Sequence, residues 1–159
     1  MSISSSLQPV FQFLDELKLN NNRNWFNDRK KQYEAAHRLM IAFSDDLLDE
    51  MKKHDAIETL SGKSSLFRIY RDVRFSKNKL PYKTSWSGSF KRATNALRGG
   101  YYFHIEPGNT FIAGGFFGPD SEDLKHIRKH IEQDDGPLRE VLNSDRIRSY
   151  FGHLFTSRC

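Results

Sequence analysis

The stretch YYFHIEPGNTFIAGGFF, residues 101–117, decides the fold class. Its two arms, residues 101–106 and 110–117, are rich in the aromatic and β-branched residues that favour strands. Between them, Glu106-Pro107-Gly108-Asn109 places Pro and Gly at the two central positions that a type II turn prefers. The stretch therefore predicts an antiparallel β-hairpin.

Two helices are expected before the hairpin. Apolar residues from Leu7 to Leu17 recur at helical spacing, which predicts a first helix that ends near Leu19 and is capped by residues 4–6, Ser-Ser-Ser. The amides of residues 20–22 supply a turn. A second, longer helix is predicted from about Asn24, with a core stripe at spacings of three and four as far as Met51.

Two further helices are expected after the hairpin. Asp120 and Ser121 predict the cap of the first, which ends before Gly136-Pro137. The second lies beyond this point and has a break signal at Asn143-Ser144. The whole pattern predicts an α+β fold, in which N-terminal helices pack on a small, mainly antiparallel sheet with a β-hairpin and C-terminal helices follow. A length of 159 residues predicts a single domain over residues 1–159.

Residues 68–83 form the most concentrated chemical feature, which we call the basic segment. Residues 59–105 contain ten Lys or Arg residues and one acid, whereas the remainder of the chain holds 15 basic and 19 acidic residues. Apolar and polar residues alternate over residues 67–75, which predicts a strand. A lysine-rich loop around Pro81 follows, and residues 86–90 predict a second short strand.

We predict that the basic segment binds a phosphorylated or otherwise anionic small molecule. Guanidinium groups can grip a planar oxyanion with two hydrogen bonds, and lysines add point charge. Arg71 interrupts the apolar face of the predicted strand, so it is expected to point inward and to need an anionic partner. Arg71 and Arg74 are the expected clamp and Tyr82 a wall. The candidate ligand-binding residues are Arg68, Arg71, Arg74, Lys77, Lys79, Tyr82 and Lys83.

The basic segment also fits two other functions. Lysines contact phosphates and Tyr or Trp can stack on unpaired bases, so a nucleic-acid or acidic-protein interaction module is one alternative, although no recognised nucleic-acid motif is present. Pairing of Arg68 and Arg74 with Asp72 would instead make the segment structural, with no small-molecule ligand.

Signals for catalysis and for metal binding are sparse. His104 shares one face of the predicted hairpin with Tyr102 and Glu106, so a Glu106–His104 pair could poise a base; a hydrogen-bonded sheet histidine is the other interpretation. His126 and His130 lie four residues apart on a predicted helix, but no third ligand accompanies them, and we predict no metal site. No phosphate loop, nucleophile elbow or zinc-hydrolase motif is present. We therefore expect no cofactor, and the sequence leaves open whether the protein is an enzyme.

Composition restricts the class of protein. No apolar run approaches the roughly 20 residues that a membrane span needs, and the N-terminus lacks a signal-peptide core. The single cysteine, Cys159, excludes an internal disulfide framework. We expect a soluble, cytoplasmic protein without a membrane partner, and the sequence does not indicate its oligomeric state.

Several motifs together resemble one family of uncharacterised proteins. The distinctive motif is the run RDVRFSKNK, residues 71–79, followed by Pro81-Tyr82-Lys83-Thr84. With Trp25-Phe26 and Gly100-Tyr101-Tyr102, it is similar to domain of unknown function 2461, found in bacteria and fungi. The resemblance covers nearly the whole chain and implies a family without implying a reaction.

Two departures from the family pattern accompany this resemblance. Lys77-Asn78 stands where the family typically has a lysine–aspartate pair, so a carboxylate that could have served as metal ligand or base is absent. Family members usually continue past the point equivalent to Gly152 through a segment rich in proline and aliphatic residues. The resemblance therefore implies a C-terminally shortened member that ends at Cys159.

Overall fold

The computed structural model describes residues 7–94 and 97–152. The chain divides into two compact units, Met1–Phe117 and Gly118–Cys159, and each is described by itself. The prediction of a single domain over residues 1–159 stays a prediction.

The first unit contains helices, then a three-stranded antiparallel sheet in the order β1-β2-β3. Its elements are α1 (Gln8–Leu19), α2 (Arg23–Asp28), α3 (Lys30–Lys52), α4 (Gly62–Ser65), β1 (Trp86–Lys91), β2 (Gly100–Ile105) and β3 (Phe111–Gly115). The second unit contains α5 (Ser121–Gln133), α6 (Gly136–Asn143) and α7 (Asp145–Phe151). Helices before and after a small antiparallel sheet confirm the α+β fold class.

The N-terminal helices differ from the prediction in one respect. Leu19 ends α1 as expected, while the predicted cap at residues 4–6 lies outside the described residues. The single long helix predicted from Asn24 is two helices, because the backbone leaves helical values at Arg29. The Asn22 side chain caps α2 by accepting the Trp25 N–H at 3.0 Å. The break lies beside Phe26, whose ring stacks on Tyr82 with centroids 4.0 Å apart, so tertiary packing overrides local helix propensity here.

The core of the first unit lies between α1, α3 and one face of the sheet. Its buried residues come from all three elements, which is what amphipathic helices against a half-buried sheet require. They include Val10, Phe13, Leu14 and Leu17 of α1, Ala36, Met40 and Leu48 of α3, and Trp86, Phe90, Phe103 and Ile105 of the sheet.

The predicted hairpin is confirmed. The Asn109 N–H donates to the Glu106 carbonyl at 3.0 Å, and Gly108 has the positive φ of +74° that the third position of a type II turn needs. In β2, Phe103 and Ile105 face the core, so the intervening residues lie on the opposite side. We call that side the outer face; by register it carries Ser87, Ser89, Tyr102, His104, Phe111 and Ala113.

The strand predicted over residues 67–75 is wrong. Only isolated bridges form, Leu66 with Gly88 and Tyr70 with Tyr82, and the chain folds back so that the Arg71 N–H donates to the Pro81 carbonyl at 2.9 Å. Beyond Arg71 the Asp72 carboxylate accepts the Arg74 N–H at 3.2 Å, a local turn that competes with strand pairing.

The helices of the second unit are capped as the sequence predicts. The Asp120 carboxylate accepts the N–H groups of Glu122 and Asp123 at 3.0 and 2.8 Å. Ser144 separates α6 from α7 and accepts the Ile147 N–H at 3.3 Å, which confirms the predicted break. None of the helices in the described part of the chain is long and apolar enough to cross a membrane.

Asn21 ties the basic segment to the N-terminal helices. Its amide nitrogen donates to the Tyr82 carbonyl at 3.0 Å, and its amide oxygen accepts the Tyr82 N–H at 3.1 Å. The side chain thus pairs with the Tyr82 backbone as a neighbouring strand would. Neighbouring Asn20 makes only a local contact, from its amide to the Glu16 carbonyl.

We expect Asn21→Ala to lower the free energy of unfolding by about 1–3 kcal/mol, because it leaves the part-buried backbone groups of Tyr82 without partners. Asn20→Ala is the matched control and should cost less. Urea denaturation followed by tryptophan fluorescence measures both variants, since Trp25 and Trp86 lie in the first unit. Equal losses for the two variants would show that the Asn21 pairing does not stabilise the fold.

Candidate functional site

A groove of about 630 Å³ opens in the first unit, beside the ends of the three strands. Its aromatic walls are Phe67, Tyr101, Tyr102, Phe116 and Phe117. The charged side chains that line it are Lys91 and Arg98, and the described lining includes no carboxylate. The groove is therefore apolar along its walls and cationic in its charged groups, which suits a flat ligand with an anionic substituent.

Glycines shape one end of the groove. A Cβ atom on Gly99 would lie 2.7 Å from the Gly115 carbonyl oxygen, and one on Gly100 would lie 2.5 Å from the Phe90 carbonyl oxygen. Gly99 also has a φ of +92°, which side chains rarely tolerate. The backbones of Gly99 and Gly115 therefore approach each other closely at this end.

Three side chains at alternate positions of β2 and the following turn form a hydrogen-bonded row on the outer face. The Tyr102 hydroxyl lies 3.0 Å from His104 Nδ1, and His104 Nε2 lies 3.1 Å from Glu106 Oε2. The His104 ring stacks on Phe111, with centroids 5.0 Å apart and an interplanar angle of 17°. The row begins at the groove wall, because Tyr102 lines the groove.

Glu106 is held by two further donors. Asn109 Nδ2 donates to Oε2 at 3.0 Å and the Thr84 hydroxyl to Oε1 at 3.3 Å. The Asn109 hydrogen bond, with those from His104 and Thr84, lowers the pKa of Glu106 although partial burial opposes this. An ionised Glu106 favours the imidazole tautomer with its proton on Nε2, which leaves the Nδ1 lone pair of His104 to accept the Tyr102 hydroxyl proton. The row is therefore a continuous hydrogen-bonded chain from the Tyr102 hydroxyl through His104 to the Glu106 carboxylate.

Two predicted ligand-binding residues are engaged within the basic segment itself. The Arg74 guanidinium forms a two-pronged pair with Asp72, at 2.7 and 3.0 Å, which lowers the pKa of that carboxyl. Lys79 Nζ donates to the Val73 carbonyl at 3.0 Å and more weakly to that of Arg74. Arg74 and Lys79 therefore stabilise an exposed loop. In the predicted clamp of Arg71 with Arg74, Arg74 is already paired with Asp72.

Tyr82 lies in the core rather than at the surface. Its side chain is only 5% exposed and stacks on Phe26, so it forms no wall of a surface site. Lys77 is exposed and makes no hydrogen bond or ion pair within the described part of the chain.

Like Lys77, the predicted cations Arg68, Arg71 and Lys83 have no carboxylate at hydrogen-bonding distance among the described residues. Arg71 is half-buried, and the inward partner expected for it is not found among residues 7–94 and 97–152. Lys83 Nζ lies over the Phe67 ring, 5.7 Å from its centroid. Burial, and secondarily the charge of Arg68, lower the pKa of Lys83.

Phe67 connects Lys83 to the groove. It lines the groove, it lies beneath Lys83, and its ring centroid is 6.5 Å from that of Tyr102. The structure therefore places Lys83 beside the end of the groove where the row of Tyr102, His104 and Glu106 begins. Sequence reasoning missed Phe67, Lys91 and Arg98 as site residues. In the sequence, their only signal was that they lie near other charged residues. The contacts that bring them together in the groove join distant parts of the chain, and no local pattern reports such contacts.

The two histidines of α5 lie one turn apart, near an acidic side chain of the same helix. His126 and His130 are exposed, and His126 Nε2 lies 4.0 Å from Glu122. No cluster of three or more His, Cys, Asp or Glu side chains suited to a metal is found among the described residues.

Glu106→Gln tests whether the charge of the Glu106 carboxylate stabilises the row of Tyr102, His104 and Glu106. The folded-state pKa of Glu106 lies below its ordinary value of 4.5, so the ionised carboxylate contributes stability above that pH, and the contribution is lost as the pH falls through the folded-state pKa. We expect the variant to be less stable at neutral pH and to lose less stability than the parent between about pH 5 and pH 3. Urea midpoints at each pH measure this.

Thr84→Val provides the control for that experiment, because it removes one donor but keeps the carboxylate, Asn109 and His104 in place. It should follow the parent's pH dependence more closely than Glu106→Gln does. Parallel pH profiles for Glu106→Gln and the parent would contradict the role given to Glu106.

Comparison with known proteins identifies a family. A family model described as "Conserved hypothetical protein (DUF2461)" matches residues 9–158, nearly the whole chain. No curated protein and no solved structure matches the chain.

Proposed function

We propose that this chain, which belongs to the DUF2461 family of conserved hypothetical proteins, binds a phosphorylated or otherwise anionic small molecule in the aromatic groove. The observation that carries the proposal is the position of Lys83: it is partly buried, it lies against the Phe67 wall of the groove, and no described carboxylate pairs with it. An anion bound beside Phe67 would be attracted by the charge of Lys83.

Lys83 and Arg68 are the cations that we assign to the ligand's anionic group. The partial burial of Lys83 and its repulsion by Arg68 both disfavour its charged form. No described carboxylate pairs with Lys83 to offset these costs, and a bound phosphate or carboxylate would do so. Lys91, by contrast, already pairs with Glu58 at 2.5 Å, so we assign it a secondary role.

The walls indicate the rest of the ligand. A volume of about 630 Å³ accommodates a small organic molecule, and aromatic side chains pack well on flat apolar surfaces. We therefore propose a ligand with a planar ring or similar apolar body and a phosphate or carboxylate group. The compact groove and the internal pairing of Arg74 and Lys79 favour such a ligand over an extended nucleic acid, which would use cations along the whole basic segment.

We expect Lys83→Gln and Arg68→Gln each to weaken binding of phenyl phosphate by about tenfold, because each removes a charged contact to the phosphate. Arg74→Gln is the matched control: Arg74 lies in the same segment but is paired with Asp72, so its loss should change affinity less than about twofold. Isothermal titration calorimetry measures the four dissociation constants.

Two outcomes would contradict the proposal. One is an absence of phenyl phosphate binding to the parent chain at millimolar concentration. The other is an equal loss in all three variants, with a short single-stranded oligonucleotide binding more tightly and with a steep salt dependence; that result would support the nucleic-acid alternative.

A further inference from the structure

Two adjacent tyrosines line the groove in opposite chemical settings. The Tyr101 hydroxyl donates to Asp55 Oδ2 at 2.7 Å, and this hydrogen bond, together with burial, raises the pKa of Tyr101. The Asp55 carboxylate is also paired with Arg92 at 2.6 Å and belongs to a structural network. The Tyr102 hydroxyl instead meets His104 Nδ1, an imidazole nitrogen whose ring also contacts the Glu106 carboxylate. Of the two phenols, only Tyr102 has an imidazole nitrogen, the group that most often serves as a general base, as its hydrogen-bond partner.

We infer that Tyr102 is a reactive phenol at the wall of the groove, with His104 as its base and Glu106 as the residue that positions His104. The inference rests on the proposed function for the ligand that would meet Tyr102, and it adds a reaction to that binding site. Tyr102 is the catalytic residue in this proposal, and Glu106 acts through His104.

The geometry has the form of an activated nucleophile. A nucleophile within hydrogen-bonding distance of a base, and a base oriented by a third group, define such a site. Here the two distances are 3.0 and 3.1 Å, and Asn109 and Thr84 fix the carboxylate in turn. Stacking on Phe111 fixes the plane of the imidazole. His104 and Glu106 have side-chain exposures of 16% and 23%, so the row is partly screened from solvent yet not sealed in the core.

The class of substrate follows from the anionic ligand: a phosphate ester with an aromatic or other flat body. Tyr102 Oη would attack phosphorus and form an O–P bond while the bond from phosphorus to the ester oxygen breaks. The phenol proton passes to His104 Nδ1 and then to the departing ester oxygen, and Glu106 stabilises the intervening imidazolium. Water then hydrolyses the phosphotyrosyl group, supplying a hydroxyl to phosphorus and returning a proton to Tyr102 Oη.

Labelling with 4-(fluorosulfonyl)benzoic acid tests the reactivity without a known substrate. The reagent carries a ring and a carboxylate; the Tyr102 oxygen would displace fluoride from sulfur, and His104 would take the phenol proton. Peptide mapping by mass spectrometry over time gives a rate for each tyrosine. We expect Tyr102 to react at least about tenfold faster than Tyr101 in the same groove and than Tyr150, which is 79% exposed.

Substitutions separate activation from simple access. His104→Gln keeps a hydrogen-bonding side chain but removes the base, and should slow labelling of Tyr102 at least tenfold; Glu106→Gln should slow it less. Tyr150→Phe, which lies outside the residues that line the groove, should leave the Tyr102 rate unchanged. A rate at Tyr102 equal to or below that at Tyr150 in the unsubstituted chain would overturn the inference, and so would a Tyr102 rate that His104→Gln does not change.

Benzenesulfonyl fluoride, which lacks the carboxylate, distinguishes this inference from the proposed function. If both reagents label Tyr102 selectively and at the same rate, Tyr102 is reactive but the groove does not recognise anions. If neither reagent labels Tyr102 selectively while Lys83→Gln weakens phenyl phosphate binding, the groove binds anions but Tyr102 is not activated.

Discussion

Burial of Phe103 and Ile105 against α1 and α3 fixes the register of β2, and the rest of the site depends on that register. Side chains alternate strictly along a strand, so a shift by one residue would bring His104 and Glu106 into the apolar core. Such a shift would bury a charge and two hydrogen-bonding groups without partners, at a cost far larger than that of a single lost apolar contact. The apolar face of β2 therefore also determines where its polar face presents Tyr102, His104 and Glu106.

The basic segment contributes to the molecule in two distinct ways. Its outer part, beyond Arg71, is an exposed loop whose charged groups find partners within the loop: Asp72 pairs with Arg74, and Lys79 donates to backbone carbonyls. Its inner part is held from several sides, by Asn21 on Tyr82, by the pairing of Ile69 with Lys83, and by the hydrogen bond from the Phe67 N–H to the Ser87 carbonyl. The inner part comes close to the groove through Lys83, which lies over the ring of the lining residue Phe67. Charge density in the sequence therefore overstates how many of these cations can act together on one ligand.

The hairpin and most helices could be predicted because their signals are local. A Pro-Gly turn, strict alternation in β2 and the carboxylate of Asp120 each act within a few residues of the structure they specify. The strand over residues 67–75 could not be predicted correctly. Apolar and polar residues alternate there as in a strand, but Phe75 is 96% exposed and Asp72 closes a local turn. The break at Arg29 depends on packing between Phe26 and Tyr82, 56 positions apart along the chain, which periodicity does not report. The candidate site was predicted in part for the same reason: His104 and Glu106 are neighbours in sequence, whereas Phe67 reaches Tyr102 only through the fold.

The close contacts of Gly99 and Gly100 restrict how the groove can change in shape between related proteins. At this end its boundary is formed by peptide groups, since a side chain at position 100 would collide with the Phe90 carbonyl and one at position 99 with that of Gly115. Evolution can therefore change this end only by moving the backbone, which is costly, whereas Phe67, Phe116 and Phe117 at the walls can be replaced one at a time. Among related chains, ligand preference is thus expected to vary through the aromatic walls, while the glycine end stays constant.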